Sequence, residues 1–497
     1  MRRPPGSGAL GERIAGPMIG ASALADPAQA VARAWRDVEL RVGGGLRMAN
    51  CRWRAVGLAA LMLGAASAGA APVTLREAAR MGESTRVLIT LKADGHYRPA
   101  PPPGTSQAEP GKPATKPMAL RVETRFDFTE RVMDVDAEGR PRRVARWVAR
   151  AAAAINGEVK PTGSVLRPEV ALLVAEPRAE GVVVFSPGGP LTRPELELVQ
   201  GAGDPLALAD LLPGKPVAVG DKWRVGDEAA RALSVYDTLE RNALDAVLEA
   251  VDAGSARVRL KGEIRGAVLG GEGTIACDGS FTFDRKAGRV DRLTLDRSES
   301  RKAGPVENEL DVKSTLTITR QAAEPPPALA DAALSGVSLD SDPARARLQL
   351  TTPRGKYTLL HDRDWHIDYE DMRVTVLKRL ERGVVVAQAN LALGPNAGKG
   401  RHQDLEQFRD DIRRALGRRF GQFVGVGEVD GDPLGGFRYK VAVRGREGDL
   451  GVVWNYYLVA GPEGDQLLAI FTLAEDQAKA FADQDLQMIG SLKWAKP

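Results

Sequence analysis

From Leu244 to Arg320 the apolar residues recur at every second position, and no other feature of the chain constrains its folding as tightly. Val258, Leu260 and Ile264 share one phase. Ile275, Cys277, Phe281 and Phe283 share a second, and Leu310, Val312, Leu316 and Ile318 a third. A period of two puts alternate side chains on opposite faces, so each segment is expected to be a strand with one buried and one polar face. Asp252-Ala253-Gly254, Gly270-Gly271 and Lys286-Ala287-Gly288 separate the segments. Turns this short join antiparallel neighbours. The expectation is a curved antiparallel meander whose apolar face needs a cover.

Upstream, Arg86–Lys92 and Leu120–Met133 read as strands, the second with Val122, Thr124, Phe126 and Phe128 alternating against charged neighbours, joined by a loop over residues 98–117 that is rich in Pro, Gly and Ala. Pro141–Ile155 reads as a helix. Val144, Trp147, Val148, Ala151, Ala152 and Ile155 form one stripe at helical spacing, Pro141 suits the first turn, and Asn156-Gly157 stops it. That segment is the expected cover. Leu191–Leu212 reads as one or two short helices, and Val219–Trp223 as a turn entering a strand. Residues 71–321 are thus expected to be one β-rich domain.

Residues 48–70 have the pattern of a secretory signal peptide: basic Arg52 and Arg54, an apolar run from Ala55 to Ala66, then small residues at Ala68 and Ala70. Translation is therefore expected to start at Met48, with 1–47 an over-called upstream extension. Cleavage near Ala70-Ala71 would place the mature chain outside the cytoplasm, periplasmic or secreted. Residues 1–70 carry nine Arg and four acids of the chain's 69 Lys+Arg and 65 Asp+Glu, leaving 60 basic against 61 acidic side chains. The net charge of +4 belongs to the leader, and nucleic acid is not an expected partner. Cys51 leaves with the leader, and Cys277 alone forms no internal disulfide. No apolar stretch reaches the roughly 18 residues of a membrane span.

Residues 322–345 (Glu324-Pro-Pro-Pro327, then Ser and Asp) read as a linker. In 346–497, strands are expected at Leu348–Thr352, Tyr357–Leu360, Arg373–Leu380, Val384–Leu391, Val424–Val429, Phe437–Val443, Val452–Val459 and Leu467–Leu473. Helices are expected at Asp404–Phe420 and Ala474–Ile489. The opening hairpin with Asp364-Trp365-His366, the mid-domain helix, and the ending strand, helix, Ser491-Leu492 resemble the PsbP/DcrB-like family. That resemblance implies an α/β/α sandwich in an exported accessory role, without shared catalytic residues. More weakly, 71–321 resembles LolA-type half-barrel carriers at the level of architecture. The fold class expected is α+β: a curved antiparallel sheet with a covering helix, then an antiparallel α/β/α sandwich.

The densest run of chemically capable side chains is His361-Asp362-Arg363-Asp364-Trp365-His366-Ile367-Asp368. In an extended chain Asp362, Asp364, His366 and Asp368 share a side, a possible divalent-metal set, against the simpler reading of a charged outer strand face. His96 and His402 stand apart. Asp134-Val-Asp136-Ala-Glu138-Gly139 imitates half a calcium loop, but Arg140, Arg142 and Arg143 follow and position twelve is Ala145. Gly425, Gly427 and Gly431 lack the following helix of a dinucleotide site. Cys277, in phase with Ile275 and Phe281, reads as a buried thiol. Arg413, Arg414, Arg418 and Arg419 read as the solvated end of a helix. No catalytic, cofactor-binding or metal residue is assigned, and no enzyme is expected. The chain is expected to be an exported, non-catalytic binding or accessory protein of the envelope, taking a hydrophobic small molecule or an envelope protein. A structural assembly protein is the alternative, and a metal-assisted hydrolase at His366 a third.

Overall fold

A computed structural model describes residues 71–99, 116–157, 165–179, 181–352, 355–429 and 437–495. Residues 1–70, which hold the expected signal peptide, residues 100–115 of the Pro-rich loop and Gly431 lie outside these. The described chain is strand-rich and its sheets are antiparallel. The first half contributes β1 Ser84–Arg98, β2 Met118–Val135, β3 Pro141–Ile155, β4 Leu172–Arg178, β5 Gly181–Phe185, β6 Lys222–Arg224, β7 Thr238–Asn242, β8 Asp245–Val251, β9 Ser255–Val268, β10 Gly271–Asp284, β11 Arg289–Arg301 and β12 Glu309–Ala322. They form one twelve-stranded sheet in the order β5-β4-β3-β2-β1-β12-β11-β10-β9-β8-β6, with β7 on β9. The three turns read from the sequence are its hairpin turns.

Pro141–Ile155 is not a helix but strand β3, paired with β2 and β4. The misleading spacing has a physical cause. The β2–β3 register shifts between Asp127 and Phe128, so Phe128 faces Val148 while Asp127 faces Arg150. The extra residue, Ala149, reverses the phase. Val144 and Val148 before the bulge share the inner face with Ala151 and Ile155 after it, which reproduces spacings of four, seven and eleven. The opposite face of β3 is buried as well: Ala145 and Trp147 pack with Leu329 and Leu334 of the segment after β12. Two buried faces blur the alternation further.

The inner face is covered by shorter pieces. Helix α1 (Arg193–Val199) starts with a capping box between Thr192 and Glu195 and supplies Leu196 and Val199. A 3₁₀ segment, Pro205–Leu211, supplies Leu208 and Leu211, and helix α2 (Asp227–Ser234) supplies Ala229, Ala230 and Leu233. Arg231 on α2 donates to the Ala179 carbonyl beside β5, while Asp227 on the same helix accepts from Asn242 at the end of β7. β5 closes one end of the sheet and β7 lies near the other. The sheet therefore curls until both ends meet one eight-residue helix.

Inside this core Arg146 is wholly buried. Its Nη1 and Nη2 each donate to Asp204 at 2.8 Å and its Nε donates to Glu130 at 3.3 Å. Asp204 also caps the 3₁₀ segment by accepting from Leu206 N at 3.0 Å. Burial opposes the guanidinium charge, but the two carboxylates outweigh it and raise Arg146 above its ordinary value. Burial drives Glu130 up.

The second half adds β13 Leu348–Thr351, β14 Tyr357–His361, β15 Trp365–Glu370, β16 Val374–Glu381, β17 Val384–Leu393, β18 Phe420–Glu428, β19 Phe437–Glu447, β20 Leu450–Ala460, β21 Gln466–Ala474 and β22 Lys493–Trp494. A seven-stranded sheet runs β15-β16-β17-β21-β20-β19-β18, beside a small sheet β13-β14-β22. Helix α3 (Leu405–Leu416) lays Phe408, Ile412 and Leu416 on Val441, Val443 and Trp454. Phe481, Met488 and Ile489 pack with Trp365, Tyr457 and Phe471 in a separate core. The expected Ala474–Ile489 helix is broken: a 3₁₀ turn leads to α4 (Ala478–Phe481), Ala482 adopts φ +50°, and α5 (Gln484–Gly490) follows. The break turns both Phe481 and Ile489 inward.

Replacing Arg146 with Ala strands two buried carboxylates, and the expected loss is about 3–5 kcal/mol in urea unfolding. Retained stability would show that these carboxylates find water or other donors.

Candidate functional site

The registers of β9 to β12 with β1 and β2 set the inner-face residues in rows. One row runs Val258, Phe281, Leu293, Ile318, Ile89, Phe126, and the next Leu260, Gly279, Leu295, Leu316, Leu91, Thr124. These are the covered rows. Gly203, at φ +88°, sits so close to them that a Cβ would lie 2.5 Å from Ile318 Cδ1. Toward the tips of β1 and β2 the rows change character. One reads Gly262, Cys277, Arg297, Ser314, Ala93, Val122, with Ile155 of β3 beyond. Beyond it come Ile264, Ile275, Glu299, Val312, Gly95, Leu120, and then Gly266, Gly273, Arg301, Leu310, Tyr97, Met118.

Two parts adjoin here. On β12, β1, β2 and β3 the tip rows are apolar and partly open, with Met118 49 % and Ile155 41 % exposed. On β11 they are charged: Arg297 and Arg301 flank Glu299 at 3.4 and 3.8 Å, and Arg301 reaches Glu307 at 3.2 Å. Tyr236 lies over Gly266 and Gly273, where any side chain would collide with its ring or hydroxyl. Burial raises the Tyr236 phenol and pushes the Cys277 thiol up to about 11, so Cys277 is a buried thiol as its phase implied.

The second half of the chain packs beside this charged end. Arg193, the first residue of α1, donates to the carbonyls of Arg363 and Trp365, the latter at 2.8 Å. Arg363 donates back to the Val184 carbonyl of β5, and Gln349 N donates to Leu191 O at 2.8 Å. The β9–β10 and β16–β17 turns touch through glycine: a Cβ on Gly270 would lie 2.3 Å from the Gly383 carbonyl. Glu197, Asp237 and Glu307 line the junction near Arg193 and Arg301, and burial raises all three carboxyls.

The His361–Asp368 run falls at this junction but does not converge. Asp364 pairs with Arg379 at 2.6 Å and Asp368 with Lys378 at 2.9 Å. His361 is buried with Nδ1 2.8 Å from the Asp362 carbonyl. Burial lowers it to about 4 and His366 to about 3, with Arg193 adding to both shifts. Among the described residues no group of three or more His, Cys, Asp or Glu is placed to hold a metal ion. The half-calcium-loop motif is a hairpin turn in which Asp136 accepts from the amides of Glu138 and Arg140. Arg413 and Arg414 pair with Asp410 and Asp411, and Arg419 with Glu447. His402 stacks on Phe437 at 3.8 Å. Sequence reasoning had Val122, Leu310 and Val312 in strand phase but missed Tyr97, Met118 and Ile155 as their neighbours, because only the register brings them together.

No protein-family model matches the chain, and no curated protein matches it. Solved structures show faint likenesses. Cyanobacterial PsbP from Synechocystis has 15 % identity and a TM-score of 0.23, over 30 % of this chain and 92 % of that one. A Bacteroides thetaiotaomicron protein has 10 % identity and a TM-score of 0.24, over 30 % of this chain and 48 % of its own. A lipovitellin structure has 9 % identity and a TM-score of 0.28, over 50 % of this chain and 26 % of its own. The matched part thus spans about half of the Bacteroides chain and a quarter of lipovitellin. Scores this low leave the architecture to rest on the strand order itself, and none of these matches speaks for a LolA-type carrier.

The histidine shifts give a pH test. An unfolded imidazole binds a proton below about 6.5, whereas folded His361 stays neutral to about 4. Unfolding takes up a proton in that window, so stability falls as pH drops from 6.5 toward 4. The raised carboxyls of Glu197, Asp237 and Glu307 act in the opposite sense, since the folded state protonates them first. A His361→Leu variant is expected to lose less stability between neutral and mildly acidic buffer than the parent, read as the shift in urea midpoint. An equal shift in both proteins would remove His361 from the acid response.

Proposed function

We propose that the chain is an exported, non-catalytic binding or accessory protein of the cell envelope, which takes an apolar group onto the open tip rows of its large sheet. The apolar group belongs to a hydrophobic small molecule or to an envelope partner. The observation that carries this reading is the set Tyr97, Met118, Leu120, Val122, Ile155 and Leu310. These residues share one sheet face with the buried core, yet Met118 and Ile155 keep more than two fifths of their surface exposed. A connected apolar face left open on one side commonly marks a binding site. The deeper rows do not offer the room. Their residues are buried against α1, α2 and the 3₁₀ segment, so a ligand lies on the tip rows rather than inside the core. The export half of the proposal rests on the leader.

Native mass spectrometry of protein purified from its own envelope, followed by solvent extraction, tests for retained cargo. A fluorescent apolar probe tests the surface. Glu in place of both Met118 and Ile155 is expected to weaken probe binding about tenfold, while stability moves by no more than about 1 kcal/mol at such exposed positions. Undiminished binding by the double variant would place the apolar site elsewhere.

A further inference from the structure

We propose that the apolar group taken by the tip rows is the tail of a single-chain amphiphile, and that its headgroup is a carboxylate held by Arg301, Arg297 and Tyr236. The inference rests on the tip rows being the binding face, and it gives a role to the charged end beside them. One row carries it. Met118, Tyr97 and Leu310 run directly into Arg301, and Gly273 and Gly266 follow. The glycines leave space for Tyr236: a Cβ on Gly273 would lie 2.4 Å from the Tyr236 hydroxyl and 3.4 Å from Arg301 Cγ. Phenol and arginine side chain therefore sit side by side where the apolar row ends. Neighbouring strands lie about 4.8 Å apart, so the row from Arg301 to Met118 spans about 14 Å, a length that suits an alkyl chain.

The donors at this end are unsatisfied. Buried polar groups ordinarily find partners, as Arg146 does at 2.8 Å. Tyr236 is 1 % exposed, and its hydroxyl has no partner among the described residues. The Nε atoms of Arg297 and Arg301 are likewise buried without a partner. The terminal nitrogens make long pairs: Arg297 with Glu299 at 3.4 Å, and Arg301 with Glu299 at 3.8 Å and Glu307 at 3.2 Å. Three donor groups lacking an acceptor on one face fit a headgroup rich in acceptors, and the edge of a guanidinium matches a carboxylate in particular. The acids in place leave these cations under-matched. Glu299 is shared by both guanidiniums, burial favours the protonated form of Glu307, and Asp237 accepts from Leu269 N at 2.7 Å. A cationic headgroup would instead meet Arg297 and Arg301 directly.

Displacement of a fluorescent apolar probe by dodecanoate, methyl dodecanoate and dodecyltrimethylammonium tests this, because the three share one chain and differ in headgroup. Dodecanoate is expected to compete about tenfold or more better than either of the others. Arg301→Met should remove that preference, with folding checked by circular dichroism. Tyr236→Phe deletes a single hydroxyl and decides the matter if the arginine variant does not fold. It should weaken dodecanoate about threefold or more and leave the cationic analogue unchanged. Equal displacement by all three compounds overturns the headgroup assignment while leaving the tip rows as the binding face. A preference for dodecanoate that survives both substitutions overturns it too. A probe that does not bind, or that none of the three displaces, overturns the tip-row reading itself and this inference with it.

Discussion

A sheet of twelve hydrogen-bonded strands has two faces, and an apolar one cannot be left to water. The rest of this molecule follows from how that face is covered. Removing apolar area from water is worth about 25 cal/mol per Å². The chain has no long helix in the described part of its first half to do this, and instead sets α1, the 3₁₀ segment and α2 against the inner face. Pieces so short have little stability of their own. They are fixed by specific bonds: the capping box at Thr192 and Glu195, the Asp204 cap, and the Arg146 guanidinium that ties Asp204 to β3. A cover made of three short pieces also ends where they end, and beyond them the tip rows stay partly open.

How much of this was legible in the sequence depended on whether a strand kept its phase. β9, β10 and β12 alternate cleanly, so their inward residues and the turns at 252–254, 270–271 and 286–288 could be read directly, down to the burial of Cys277. β3 could not, because the bulge at Ala149 turns an alternation into helical spacing and its back face is buried too. The broken α4–α5 segment shows the converse. Its helical stripe is real, but packing Phe481 against Trp365 and Phe471 goes with a positive φ at Ala482 that no pattern announces. The open rows were half visible. Val122, Leu310 and Val312 were in phase, but their meeting with Tyr97 and Met118 depends on a register that joins residues far apart in the chain, such as Tyr97 and Leu310. The run from His361 to Asp368 drew the eye because charge is conspicuous in sequence. In space Asp362, Asp364 and Asp368 each already had a basic partner.

The two halves of the chain share one element. α1 supplies Leu196 and Val199 to the cover and Arg193 to the contact with the second half, within seven residues. Its position is therefore set from both sides: by the apolar rows beneath it, and by the Arg363 and Trp365 carbonyls beyond it. The charged end of the inner face lies at that same boundary, with Arg301 and Glu307 on the sheet side and Asp364 and Arg379 on the other. The binding proposed for the tip rows would lie beside this charged end, where the Asp237 carboxyl interacts with both Arg193 and Arg301 and the Glu197 carboxyl with both Arg193 and Glu307.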